Sequence, residues 1–300
     1  MRYFVKVVEV GNMTRAADQL RVAQPALGLQ IRQLEDDLGV ALLVRHSRGV
    51  VPTEAGRLLY DRAVAILAQL AEARGEVAAL GRGSRETVTL GLSPSLMLLV
   101  GSDLMVNARR VIPDVFLSLV EELSFVLVEA LERGELDVAL AYEVPDRPGL
   151  QRVALIEEEL VLVAPPGGIG PADPISLSEA LDSDLVMAGE RDSVRQLMHA
   201  AADAQGIEVR VAYEARSVPA MKNLVRRGVA ASIMPYGSAI EELRSGLVVT
   251  RRIDPPIRRT LYLAKPAKRA PLRNEADVDA FLRSTAKRVL EALGPLARPL

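Results

Sequence analysis

Cysteine is absent from all 300 residues, which excludes disulfide frameworks, thiol nucleophiles and zinc–thiolate sites. Histidine occurs twice, at His46 and His199, too sparsely for a histidine metal centre or a Ser-His-Asp triad. No metal site, no catalytic residue and no cofactor are therefore expected, and a histidine-driven enzyme is disfavoured. No apolar run approaches the roughly 18 residues of a membrane span. The N-terminus also lacks the basic, apolar and small-residue succession of a signal peptide. A cytoplasmic protein with no membrane partner is expected. What is present is apolar residues at 49% and charged residues at 25%, enough to bury sizeable cores in about two domains. Net charge is −2 overall, yet residues 1–82 carry 11 Lys+Arg against 9 Asp+Glu. A mildly basic head on an acidic body hints that the head alone meets a polyanion.

The first stretch reads as short helices. Tyr3, Phe4, Val7 and Val8 recur at helical spacing until Gly11-Asn12, where Asn12 can cap a second helix over Met13–Leu20. A three-residue connection leads to Gln24-Pro25, and proline suits a first helical turn because its missing N–H has no partner there. The spacing predicts a third helix over Pro25–Leu38 with Leu27, Ile31, Leu34 and Leu38 inward, ended by Gly39. Two short helices on a tight turn make a helix-turn-helix, and residues 43–52 read as a two-stranded wing with a basic tip. Bases are read by residues near the N-terminus of the second helix, here Gln24, Pro25, Gly28, Leu29 and Arg32. Gln24 matches adenine, Arg32 guanine or a phosphate, and Leu29 offers a methyl contact. Asn12, Thr14, Arg15, Arg45, Ser47 and Arg48 are candidates for holding the DNA backbone, although for Asn12 capping is the better reading. Thr53 can cap a long helix in which Leu59, Ala63, Ile66, Leu70, Ala73, Val77 and Leu80 alternate steps of four and three. That narrow seam predicts pairing of two chains, with packing onto the helix's own domain as the alternative. Gly81-Arg82-Gly83-Ser84 reads as a hinge.

From Glu86 strands alternate with helices, the mark of an α/β domain. Strands are expected at Thr87–Leu92, Val115–Glu121, Leu136–Tyr142, Leu160–Ala164, Leu185–Met187, Val209–Tyr213, Ala230–Met234 and Leu261–Ala264, with a last helix over 275–293. The fold class is thus multidomain α+β and α/β: a winged helix-turn-helix at 1–55, a dimerisation helix and hinge at 56–82, and a two-lobed α/β domain at 83–300. Lobe I is placed at about 83–159 and 265–300 and lobe II at about 160–264, with a cleft between them.

Residues 3–57 resemble the winged helix-turn-helix of LysR-type transcriptional regulators. The motifs are AA-x-x-L, AQPAL-x-x-QI-x-x-LE and LG-x-x-L-x-x-R, closed by TEAG. LVEALERGELDVAL and LVRRGVAASIMP extend the resemblance along the chain, and the nitrogen-assimilation-control subgroup is the nearest in pattern. Most relatives begin a few residues earlier, and serine usually stands where this chain has Gly28, with a polar or basic residue at Leu29. Glycine there costs about 1 kcal/mol of helix propensity and removes a hydroxyl aimed at the groove, so an altered DNA preference is expected. The resemblance implies a homodimer and homotetramer on promoter double-stranded DNA, RNA polymerase as a partner, and nucleoid association when bound. It also implies an effector domain similar to periplasmic solute-binding proteins, holding a small metabolite between its lobes. The matching pocket positions are Ser93, Ser95, Ser124, Tyr142, Glu190, Ser193, Arg195 and Ser217. For Ser124, Ser193 and Ser217 the alternative is plain helix capping, and Arg195 could equally bind Glu190 or a neighbouring helix. With Glu190 in the pocket, a zwitterionic or hydroxylated ligand fits as well as a simple anion.

The remaining motifs read as scaffold. Gly167-Gly168-Ile169-Gly170 lacks the lysine of a phosphate loop, and the run Glu157-Glu158-Glu159 reads as solvated or capping. A LysR-type regulator that senses a metabolite is the expected function. Two alternatives remain: a regulator that binds DNA without an effector, and a small-molecule-binding protein with a degenerate head.

Overall fold

The computed structural model describes residues 1–20, 22–46, 49–80, 85–170 and 172–300, with side chains for all of these except 45, 68 and 71–80. The chain forms two compact units, Met1–Gly83 and Ser84–Leu300.

In the first unit, α1 (Arg2–Val10) buries Phe4, Val5 and Val7, and Gly11 ends it with φ 65 and its N–H on the Val7 carbonyl. That left-handed turn is open to glycine without strain. Asn12 caps α2 (Met13–Leu20), its Oδ1 accepting the Arg15 N–H at 3.0 Å. Helix α3 (Gln24–Leu38) carries Pro25 in its first turn and buries Leu27 and Ile31 fully, with Leu34 half-buried against the same cluster. Leu38, expected inward, is 49% exposed, because this 15-residue helix outlasts the 9- and 8-residue helices beside it. Strands β1 (Leu43–His46) and β2 (Gly49–Pro52) pair antiparallel as the wing. Glu35 accepts the N–H groups of Leu42 and Leu43 at 2.8 and 3.1 Å, tying α3 to the wing, while the Val50 N–H reaches the Gly11 carbonyl.

Thr53 caps α4 (Glu54–Leu80), accepting the Gly56 N–H at 2.9 Å and donating to the Ala41 carbonyl at 2.8 Å. Gly56 is required there, since a Cβ would stand 2.0 Å from the Leu42 carbonyl oxygen. Along α4, Leu59 packs into the head's own apolar cluster and Ala63 is fully buried. Ile66 and Leu70 are 47% and 51% exposed. The side chains of Ala73, Val77 and Leu80 and the whole hinge 81–84 lie outside the described set.

The second unit opens with β3 (Glu86–Leu92), α5 (Pro94–Leu96), a π turn over Met97–Gly101, α6 (Ser102–Val111), β4 (Val115–Glu121), α7 (Ser124–Glu132) and β5 (Val138–Tyr142). Strand β6 (Leu150–Ala164) follows. Then come β7 (Ile175–Ser176), α8 (Leu177–Leu181), β8 (Leu185–Met187), α9 (Ser193–Asp203), β9 (Val211–Glu214), α10 (Val218–Arg226), β10 (Ser232–Pro235), a 3-10 turn over Tyr236–Ala239 and α11 (Ile240–Arg244). The chain closes with β11 (Val249–Asp254), β12 (Arg258–Pro266), α12 (Glu275–Leu293) and β13 (Ala297–Pro299). Lobe I is the sheet β4-β3-β5-β12-β6, parallel from β4 to β5 and antiparallel beyond, with Val88, Leu90, Leu140, Leu261 and Phe281 in its core. In lobe II, residues 160–164 of β6 pair with β10 and β11 over a core containing Leu162, Leu177, Met187, Met198 and Ile233.

Two expectations are corrected. The strand expected at Leu160–Ala164 begins at Leu150, so one strand runs through both lobes. Its Glu157, Glu158 and Glu159, read from sequence as solvated or capping, lie opposite Thr260, Arg259 and Arg258 of β12 and are charge-paired with Arg258, Arg259 and Arg298. The return between lobes, expected near 264, comes before Arg258. All of β12 lies against β6 residues 150–159, its second half also against β5, so residues 258–264 are lobe I, held there by buried Leu261 and Leu263.

Candidate functional site

The head presents α3 as a two-sided rod. Leu27 and Ile31 fix its inner side, so positions 24, 25, 29 and 32 must turn outward on a 3.6-residue repeat. Gln24, Pro25 and Arg32 are exposed, and Leu29 is 64% exposed. Arg32 makes no ion pair among the described residues, which leaves its fork of donors available. Gly28 is half-buried, and a Cβ there would meet only the Met13 Cε, at 4.0 Å. The missing side chain is thus a surface feature of α3 rather than a packing requirement. Thr14 and Arg15 are exposed at the start of α2. Asn12 spends its side chain as a cap, as the sequence favoured. Ser47 and Arg48 lie outside the described residues, as does the Arg45 side chain.

In the second unit a cavity of about 60 Å³ lies between the lobes. Four of the eight expected residues line it: Ser93, Ser95, Ser124 and Ser193. Ser93 and Ser95 sit at the β3–α5 turn, both buried, with their hydroxyl oxygens 3.4 Å apart. Ser124 does not cap its helix; its Oγ accepts the Tyr142 N–H at 3.0 Å, fastening α7 to β5.

The other four do not line the cavity. Tyr142 is buried beneath it, its ring stacked under the Arg259 guanidinium, because β5 is a central strand enclosed on both faces. Glu190 is exposed. Arg195 turns away to bond Glu214 and the Ala188 carbonyl. Ser217 is exposed and caps α10 by accepting the Ala220 N–H.

Sequence reasoning missed the charged residues of the cleft. Arg259, on β12, is 4% exposed and lines the cavity. Its Nε and Nη2 donate to Glu158 Oε2 at 3.1 and 2.8 Å, and Nη2 also reaches Ser95 Oγ at 2.8 Å. Burial opposes the Arg259 charge most strongly of any single effect, but Glu158, Tyr142 and Asp192 together outweigh it and raise the pKa. Asp192, at the mouth of α9, accepts the Val194 N–H at 3.0 Å. Burial pushes its carboxyl up, against the lowering effects of that N–H and of Arg259. The signal available in sequence was the match between Glu157-Glu158-Glu159 and Arg258-Arg259, legible only once the strands are known to pair. Around these charges the wall is apolar, including Met187, Met221, Ile233 and Met234.

No group of His, Cys, Asp and Glu among the described residues could hold a metal ion, and no described helix is long and apolar enough to cross a membrane. Residues 1–57 match the family described as bacterial regulatory helix-turn-helix protein, lysR family, and residues 81–287 match the LysR substrate binding domain. The nitrogen assimilation regulatory protein nac of Klebsiella aerogenes is 31% identical over 240 residues, covering 80% of this chain and 78% of that protein. The regulator CatR of Pseudomonas putida is 32% identical over 237 residues, covering 78% and 81%. Among solved structures, CbnR, a LysR family transcriptional regulator, superposes with a TM-score of 0.71 at 24% identity, covering 95% of this chain and 97% of that one. Full-length BenM gives 0.58 at 24% identity, covering 97% and 95%.

Proposed function

Because the chain belongs to the LysR family of DNA-binding transcriptional regulators, we propose that it binds promoter DNA as an oligomer and responds to a small metabolite held between its lobes. The observation that carries the first half is the outward face of α3. Gln24, Leu29 and Arg32 stand exposed along one side while Leu27 and Ile31 anchor the other, so the helix can lie in a major groove without disturbing the head's core. Two copies, joined along α4 at Ile66 and Leu70, bring two such helices to one duplex. The chain works in the cytoplasm, associates with the nucleoid when bound, and acts on transcription through RNA polymerase.

For the second half, the chain crosses between lobes twice, along β6 and again between β11 and β12. A ligand that prefers one lobe spacing over the other shifts that equilibrium, and only differential affinity can do so. The observation favouring this part is a cavity whose polar groups come from both lobes, Ser95 and Ser124 on one side and Asp192 and Ser193 on the other.

The experiment is footprinting on the promoter beside the protein's own gene, with wild type, Gln24→Ala and Arg32→Ala. Each substitution is expected to relax preference at one base step by about 1–3 kcal/mol. Unchanged footprints for both would remove α3 as the reading element.

A further inference from the structure

Among the described residues lining the interlobe cavity, the charged ones are Arg259 and Asp192. They are not equivalent. Arg259 already holds a carboxylate, since Glu158 Oε2 takes both Nε and Nη2 and is itself 1% exposed. An incoming anion would have to displace Glu158 and leave it buried without its partner, which is strongly unfavourable. The arginine thus belongs to the scaffold, pinned further by Ser95 Oγ and by the Tyr142 ring beneath it.

Asp192 has no such counter-ion. Its carboxylate meets the backbone N–H groups of Val194 and Arg195 at the helix mouth, and no salt bridge reaches it among the described residues. Arg259 lowers its pKa only as a charge nearby, and burial outweighs that effect. With Asp192 ionised, the three groups Arg259, Glu158 and Asp192 leave one negative charge without a paired cation. Serine hydroxyls stand around the same space at Ser93, Ser124, Ser193 and Ser238, beside the thioether of Met187 and the methyls of Ile233.

Resting on the reading of this cleft as the ligand site, we propose that its ligand presents a protonated amine to Asp192 and an apolar body to Met187 and Ile233. An ammonium group needs acceptors on three sides; one Asp192 oxygen and the neighbouring serine oxygens supply them. A simple carboxylate finds no unclaimed cation in this cavity. Glu158 therefore sets specificity: it occupies the arginine that would otherwise receive an anion.

The test uses the full chain and three probes with the same four-carbon body: n-butylamine, n-butanol and butyrate. Saturation-transfer NMR titrations are expected to rank butylamine first. Asp192→Asn keeps an oxygen to cap α9, and it is expected to weaken butylamine by at least about tenfold while leaving butanol unchanged. Glu158→Gln frees Arg259 and is expected to let butyrate bind. Preference of the wild type for butyrate would overturn the amine assignment while leaving the cleft a ligand site. Equal butylamine binding by Asp192→Asn, or no signal from any probe, would also overturn it. DNA binding measured on the same preparation reports separately on the regulator reading.

Discussion

Lys265, on β12, is 9% exposed, a position an ammonium group occupies only when it is paired. Its Nζ lies 2.8 Å from Glu275 and 2.5 Å from Asp279. The hydrogen bond from Lys265 is the main reason that the Glu275 carboxyl is held below its ordinary value of 4.5, against a smaller opposing effect of desolvation. A carboxyl lowered in the folded state contributes stability above its unfolded pKa, and that contribution is lost as pH falls through the folded pKa. The stability advantage of wild type over Glu275→Gln, read from urea unfolding, is therefore expected in full at pH 7 and should shrink as pH falls below 4.5. Because a third of the glutamate side chain is exposed, added salt should also reduce it. A gap unchanged down to pH 3 would mean that the pair contributes nothing through charge. This network shows why single charged residues were the least legible part of the sequence. Neither Lys265 with Glu275 nor Arg259 with Glu158 has a local spacing rule, since the partners are 10 and 101 residues apart. The outward positions of Gln24, Leu29 and Arg32 were legible because their inward neighbours Leu27 and Ile31 fix the helix's rotation.

The apolar positions of helix α4 fall into two environments. Leu59 packs into the head's apolar cluster and Ala63 is fully buried, so part of the regular seam in the sequence is not available for pairing. From Ile66 onward the described seam residues face outward, with Ile66 and Leu70 about half exposed. An apolar side chain moved from water into a paired seam contributes about 1.5–3 kcal/mol. Ile66→Glu and Leu70→Glu are accordingly expected to convert dimers to monomers in sedimentation velocity while the circular dichroism of the head persists. Dimers that survive both changes would place the pairing surface elsewhere. The helices of the head were readable almost to the residue because caps such as Asn12 and Thr53 and the glycine stops at 11 and 39 act locally. Strand β6 was missed over its first ten residues, which alternate poorly and are held by pairing with β12. The short strands β7 and β13 depend likewise on partners distant in sequence.

Over the whole molecule, the apolar cluster of the head draws on residues up to Tyr60, whereas the other clusters begin at Val88. Each unit therefore carries the burial it needs to fold. The entry into the second unit is anchored from within: the Glu86 carboxylate accepts the N–H groups of Arg273 and Asn274 at 2.7 and 2.9 Å, joining the first strand to the approach of the last helix. A cut at Ser84 leaves these bonds intact. The lobe crossings were not legible at this scale, because the sequence places the return in β12 whereas the pairing of β12 with β5 and β6 places it before Arg258. Since β12 and α12 complete lobe I after the chain has built lobe II, the second unit should unfold as one cooperative body. A fragment beginning at Ser84 is thus expected to give a single urea transition that overlays the larger of two transitions in the full chain. The slope of that transition should be roughly two to three times the head's, in line with the surface exposed. Failure of the fragment to fold, or a midpoint well below the full chain's, would mean that the head supplies part of the second unit's stability, and the two could then no longer be treated as separate bodies.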